Sequence, residues 1–76
     1  MTNVPSDDEV LRYSAKLGRH PAQLFSRLAV REVTCPYCHA GPGVRCFGSS
    51  GPREANHTDR CFERVRLSMR AQSGTH

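Results

Sequence analysis

The sequence has no tryptophan, five other aromatic residues (Tyr13, Phe25, Tyr37, Phe47 and Phe62) and a single lysine, Lys16, among its 76 residues. So few aromatics leave little material for a core, and a chain this short buries only a modest share of its surface. Small scaffolds of this kind need a staple. No apolar run is long enough to cross a bilayer, so no membrane association is expected. The opening residues Met1-Thr2-Asn3-Val4-Pro5-Ser6-Asp7-Asp8 are polar and acidic and do not read as a secretion signal. These absences point to one domain in a reducing, cytoplasmic compartment. Four cysteines there hold thiols or metal rather than two disulfides.

What is present is concentrated in Cys35-Pro36-Tyr37-Cys38. Two thiolates at the ends of a tight turn can reach one ion, and a tetrahedral zinc site needs two more soft or borderline ligands. Seven residues separate Cys38 from Cys46, and ten separate Cys46 from His57. Gly41-Pro42-Gly43 reads as a reversing turn that returns Cys46 to the knuckle. Cys35, Cys38, Cys46 and His57 then make a closed site for one structural Zn2+. Cys61 offers a rival set, Cys35, Cys38, His57 and Cys61, because a helix would put His57 and Cys61 on one face. Its eighteen-residue gap is longer than such fingers usually have, so the spacing favours Cys46. Cys61 also has a plain reading as a small buried hydrophobe.

Acid is scarce beyond position 9. From there eleven basic residues, ten of them arginine, face only Glu32, Glu54, Asp59 and Glu63, and the net charge is +4. Arginine presents a planar fork suited to phosphate and carboxylate. A small basic domain points to nucleic acid or to an acidic protein surface. A solvated surface rich in arginine is the plain alternative.

Taken in order, residues 1–5 are expected to be a tail. Ser6-Asp7-Asp8-Glu9 is a capping box for a helix over 7–17, with Val10, Leu11, Ser14, Ala15 and Leu17 as its small and apolar stripe. Gly18 is its stop. Pro21 opens a second helix over 21–31, with Leu24, Phe25, Leu28 and Ala29 buried, and His20 is a turn or cap residue. This 6–32 hairpin matches a helix-turn-helix weakly. A plain cover for the metal module is the simpler reading. Val33-Thr34 and Val44-Arg45-Cys46-Phe47 are expected to form a short hairpin over the knuckle. After the loop Gly48-Ser49-Ser50-Gly51, Pro52 opens a last helix over 53–71, with Phe62, Val65 and Met69 inward. The metal module spans 33–71, and 72–76 form a tail. The expected fold is a small α+β zinc-stabilised domain: two N-terminal helices, a zinc-knuckle β-hairpin and a C-terminal helix.

Residues 35–60 also resemble a family of small zinc-finger domains of actinobacteria and their phages. Its core has the form Cys-Pro-x-Cys-Gly-Ala-x-Pro-Gly-x-x-Cys, a glycine-containing loop and His-x-x-Arg. Here it reads Cys35-Pro36-Tyr37-Cys38-His39-Ala40-Gly41-Pro42-Gly43-Val44-Arg45-Cys46, then Gly48 and Gly51, then His57-Thr58-Asp59-Arg60. The resemblance implies zinc on Cys35, Cys38, Cys46 and His57, DNA binding, and a bacterial or phage-infected host cytoplasm. Two residues depart from the pattern. His39 stands where the family has a glycine, at a position that often wants positive φ, and Cys61 is extra.

The leading functional expectation is DNA binding, with Arg45, Arg53, Arg60, Arg64, Arg66 and Arg70 contacting phosphates, which gives affinity and no base reading. Tyr37 or Phe47 could stack on an unpaired base, although a core role suits Phe47 better. The alternative is a protein-interaction module, such as a phage factor docking on a host protein. An enzyme is not expected, because four protein ligands leave no position for activated water. Thiol exchange at Cys35 and Cys38 would need a βαβ context that the chain lacks.

Overall fold

The computed structural model describes residues 4–73. Residues 1–3 and 74–76, parts of the two expected tails, lie outside the described residues. The first helix, α1 (Asp7–Lys16), opens on the capping box read from sequence: Ser6 Oγ accepts from Glu9 N at 3.3 Å, and the Glu9 carboxylate reaches back to Ser6 N. It closes on Gly18 at φ 75°, with Gly18 N donating to Ala15 O and Arg19 N to Ser14 O. Those two bonds satisfy carbonyls that the helix end would otherwise leave open. Val10 and Ser14 form the buried face, while Leu11 and Leu17 remain largely at the surface.

The second helix is not continuous over 21–31. His20 Nδ1 accepts from Ala22 N and caps a 3-10 turn at Pro21–Gln23. Ser26 then caps a separate helix, α2 (Arg27–Val30), by accepting from Ala29 N. A serine in extended conformation at position 26 is a helix start, so the chain restarts there. Leu28, expected inside, is 74% exposed, and Val30 takes the buried place. A four-residue α2 cannot act as the recognition element of a helix-turn-helix.

The hairpin forms later in the chain than expected. Its strands are β1 (Phe47–Gly48) and β2 (Gly51–Pro52), antiparallel, with Phe47 opposite Pro52 and Gly48 opposite Gly51. Val33-Thr34 is not a strand. The Gly48–Gly51 segment is itself the reversal, and Arg53 N extends the pairing to Cys46 O at 2.7 Å. Gly41–Val44 forms a tight turn beside α2, with Val44 N on Gly41 O and Gly43 N on Arg31 O.

The last helix, α3 (Thr58–Ser73), begins five residues after the expected start and outlasts the expected end. It is the common wall of the molecule: α1, α2 and the 3-10 turn all pack on it. Val10, Pro21, Val30 and Val65 are buried in this helical half. Arg66 ties the start of the chain to α3 through Pro5 O at 2.8 Å and the Asp7 carboxylate. The second core is Cys35, Ala40 and Cys46, with Cys38 against them. The described residues thus form a small α+β domain of three helices and one two-stranded hairpin. No helix among the described residues is long and apolar enough to cross a membrane.

Candidate metal centre

The knuckle is built by two backbone bonds. His39 N donates to Cys35 O and Cys35 N to Ala40 O, both at 2.9 Å. To close the turn, His39 takes φ 64°. That left-handed conformation is the one that glycine adopts freely and histidine only at a cost. The turn aims Cys35 and Cys38 at one point, the chain returns through Gly43 with Cys46, and His57 arrives at the mouth of α3. Among the described residues, Cys35, Cys38, Cys46 and His57 form one group whose ligand atoms all lie within 4.8 Å of one another. Cys61 is buried one helical turn further on and is not part of the group. The rival ligand set read from sequence is therefore not the one assembled.

The donor set fits a tetrahedral ion. Cys35 Sγ and His57 Nδ1 are 3.5 Å apart. Zinc–sulfur and zinc–nitrogen bonds at the tetrahedral angle place such atoms about 3.6 Å apart. Backbone N–H groups support the thiolates, as a metal ligand requires. Those of Tyr37 and Cys38 point to Cys35, and those of Ala40 and Phe47 to Cys38. His57 N also donates to Cys46 Sγ at 3.5 Å. Desolvation works against ionising Cys38, yet the N–H donors together with the neighbouring Cys35 and Cys46 thiols outweigh it and lower its thiol from 9.0 to about 6. Cys35 moves the other way because burial dominates. Burial, with the charge of Cys46 nearby, also pushes the Cys61 thiol up, as suits a cysteine that is packed rather than ligating.

His57 does two things at once. Its ring enters the ligand group, and its carbonyl accepts from Arg60 N and Cys61 N to open α3. That explains the late start of the helix: the chain must first deliver the imidazole. The Tyr37 ring packs on His57 with centroids 4.6 Å apart.

Sequence reasoning misplaced Arg60. Expected on phosphate, it is fully buried beside the metal ligands. Its Nε donates to Val33 O (2.9 Å), Nη1 to Val44 O (2.7 Å) and Cys46 Sγ (3.4 Å), and Nη2 to Arg31 O (3.1 Å) and Gly41 O (3.0 Å). A guanidinium has five N–H donors, and all five are used. None of the acceptors is a carboxylate. Three thiolates and a dication leave one net negative charge, which supplies the counter-charge that a buried arginine needs. The spacing His57-x-x-Arg60 was the available signal, since it sets the guanidinium one turn from the ligand.

Arg64 and Arg66 are likewise committed inside the fold. Arg64 bonds Ala29 O and Ser68, pairs with Glu32 and lies over the Phe25 ring at 4.3 Å. Arg66 holds Pro5 O, Asp7 and Glu63. Of the expected phosphate contacts, Arg45, Arg53 and Arg70 are at the surface, Arg45 paired with Glu54 and Arg70 with Glu63.

Residues 14–76 match the family described as "Putative DNA-binding phage zinc finger domain". The chain belongs to this family. No curated protein and no solved structure matches it. As a phage zinc finger of this family it carries one structural zinc, held by Cys35, Cys38, Cys46 and His57. When bound, the ion supplies cross-linking of the knuckle to the mouth of α3. The protein's own part is to orient the thiolates with N–H groups, back the His57 ring with Tyr37 and balance the thiolates with Arg60.

Proposed function

We propose that this phage zinc finger binds DNA through phosphate contacts, and that its contact set differs from the one that α3 suggested. One observation carries the reading. The four arginines of α3 all have protein partners, as do Arg27, Arg31 and Arg45. Arg12, Lys16 and Arg19 on and just after α1, and Arg53 beside the hairpin, are exposed and have no side-chain hydrogen bond or ion pair among the described residues. Arg12 and Lys16 stand one turn apart on one helix face. Uncommitted cations on a chain of net charge +4 are free to replace counterions on a phosphate backbone. Arg45 and Arg70 add to this set, because exposed ion pairs are weak enough for a phosphate to displace. The metal is structural and the protein a binding module, not an enzyme: four protein ligands leave no position for a substrate.

The test is binding of zinc-loaded protein to a random-sequence duplex across a salt series, with Arg12→Gln/Lys16→Gln/Arg19→Gln alongside. Affinity should fall steeply with salt. The triple variant should flatten the log–log salt slope by about 2 to 3, near 0.9 for each phosphate that is no longer neutralised. A folded, zinc-loaded chain that ignores duplex and single strands at low salt would move the reading to an acidic host protein as partner.

A further inference from the structure

The mouth of the metal centre opens into a cleft of about 570 Å³, bordered by Tyr37, His57 and the β1–β2 hairpin with Phe47 and Arg53. That size is within the range of small-molecule sites, about 300–1,000 Å³. Tyr37 is 67% exposed and Phe47 47% exposed. Two of the five aromatic residues in the chain are therefore left on the surface, at one cleft, in a protein short of core. Packing does not explain them, because a large aromatic left in solvent forgoes the burial that would stabilise so small a fold. Each is instead held at a fixed place. Tyr37 sits between two metal ligands, with its ring backed by the His57 imidazole. Phe47 is pinned by the pairing of β1 with β2.

The charge of the cleft is equally one-sided. Among the described residues, no acidic one lines it. Glu54, the acid next in sequence, is engaged by Arg45 and Arg27. Arg53 remains uncommitted, and its stem lies over Gly48. A β-carbon at Gly48 would meet Arg53 Cδ at 3.2 Å and Cγ at 3.3 Å, so the bare glycine makes room for the arginine.

We infer that this cleft is a stacking site for an unpaired base of single-stranded DNA, with Tyr37 and Phe47 offering ring faces and Arg53 the adjoining phosphate. Aromatic faces beside a lone cation suit a nucleotide, since every base has a π-face and stacking on aromatics tolerates sequence. A base inside a duplex has no free face to offer. The inference rests on the DNA-binding reading and narrows it to strand form: α1 supplies attraction to any phosphate backbone, and the cleft supplies the preference for unpaired bases. The rigidity of the metal-bound knuckle keeps the ordering cost of Tyr37 low.

The experiment measures anisotropy of three labelled probes with the zinc-loaded chain at one salt concentration. They are an oligothymidine, an abasic deoxyribose-phosphate strand of equal length and a random duplex. The oligothymidine should bind about tenfold or more tightly than the abasic strand, the effect of stacking one or two bases. Phe47→Ala, with its zinc content verified, should remove most of that preference and leave abasic and duplex binding unchanged, and Phe47→Trp should restore it. Equal affinity for oligothymidine and abasic strand overturns the stacking site. That comparison uses the unaltered chain, so it decides whether or not Phe47→Ala keeps its metal. Duplex binding retained without base preference sinks the cleft alone. Absence of binding to all three probes sinks the DNA reading and the cleft with it.

Discussion

Arg60 Nη1 donates to Cys46 Sγ at 3.4 Å, joining a residue that holds no metal to one that does. The same nitrogen donates to Val44 O, so one guanidinium touches both the ligand and the backbone that carries it. Its full burial and five acceptors make Arg60 the connection between α3 and the segment from Arg31 to Cys46.

Removing that side chain should be expensive. Arg60→Ala leaves Val33 O and Val44 O without a donor, takes one of two donors from Arg31 O and Gly41 O, and leaves the metal centre without its counter-charge. A loss of about 3–5 kcal/mol is expected, as for breaking a buried charge pair. Arg60→Lys should not rescue it, because an ammonium cannot span five acceptors in a plane. Thermal melting and zinc competition with a chromogenic chelator read both effects. Unchanged melting and zinc affinity in Arg60→Ala would remove Arg60 from this role.

The two outlying cysteines should separate cleanly. Cys46→Ala deletes a ligand and should abolish tight zinc binding. Structural zinc supplies about 10–16 kcal/mol in finger peptides, so the chain should lose its fold as well. Cys61→Ala removes a small buried side chain outside the ligand group, at a cost of about 1 kcal/mol, and should keep one zinc per chain. Native mass spectrometry gives the count directly. The reverse pattern would restore the Cys61 ligand set.

His39 carries strain that can be relieved. A non-glycine residue in the left-handed region costs about 1–2 kcal/mol, less for histidine than for β-branched residues. His39→Gly should leave stability equal or raised by up to about 1 kcal/mol, because relief in the folded state is partly offset by a freer unfolded chain. His39→Val should lower stability and weaken zinc binding. Denaturant midpoints rank the three, and a His39→Val chain as stable as the parent would mean that the knuckle closes differently.

Acid should release the metal. The depressed thiol of Cys38 contributes stability that is complete above its ordinary 9.0 and is lost as pH falls through about 6. Cys35, pushed up by burial, keeps its proton at neutral pH until the ion displaces it. Zinc binding at pH 7 should therefore release a proton from Cys35, while Cys38 is already mostly ionised. Calorimetry in two buffers of different ionisation enthalpy measures that release. Zinc should stay bound at pH 7 and be lost on the acid side of 6; loss between pH 8 and 7 would contradict the sign.

What the sequence made legible was local. Ser6 with Glu9, Gly18 after Lys16, and Cys35 with Cys38 act over two to four residues, and each states its geometry in side-chain type. His57 and Cys46 were reachable because few residues can hold zinc, so spacing alone narrows the choice. The second helix was misjudged where Ser26 restarts the chain, since an apolar stripe through Leu24, Phe25 and Leu28 hid a cap. The hairpin was misplaced because Val33-Thr34 and Val44–Phe47 have strand composition, but the turn between them serves Arg60 and the metal instead. Arg60 was misread because four of its five partners are backbone carbonyls, 16 to 29 residues away. A carbonyl leaves no mark in sequence.

The arrangement around Arg60 also governs how long the protein lasts. Without zinc, the ligand group beside the Arg60 guanidinium is no longer tied together, and α3 loses part of its hold on the segment from Arg31 to Cys46. Opening then extends from the metal ligands into the helical half, because α1, α2 and the 3-10 turn all lean on α3. Anything that binds only the folded state raises its population by mass action, and proteases remove the rest. The cellular half-life of this phage zinc finger should thus track the free zinc of its surroundings. In a zinc-starved cell the protein would be cleared soon after synthesis, whatever the strength of its promoter.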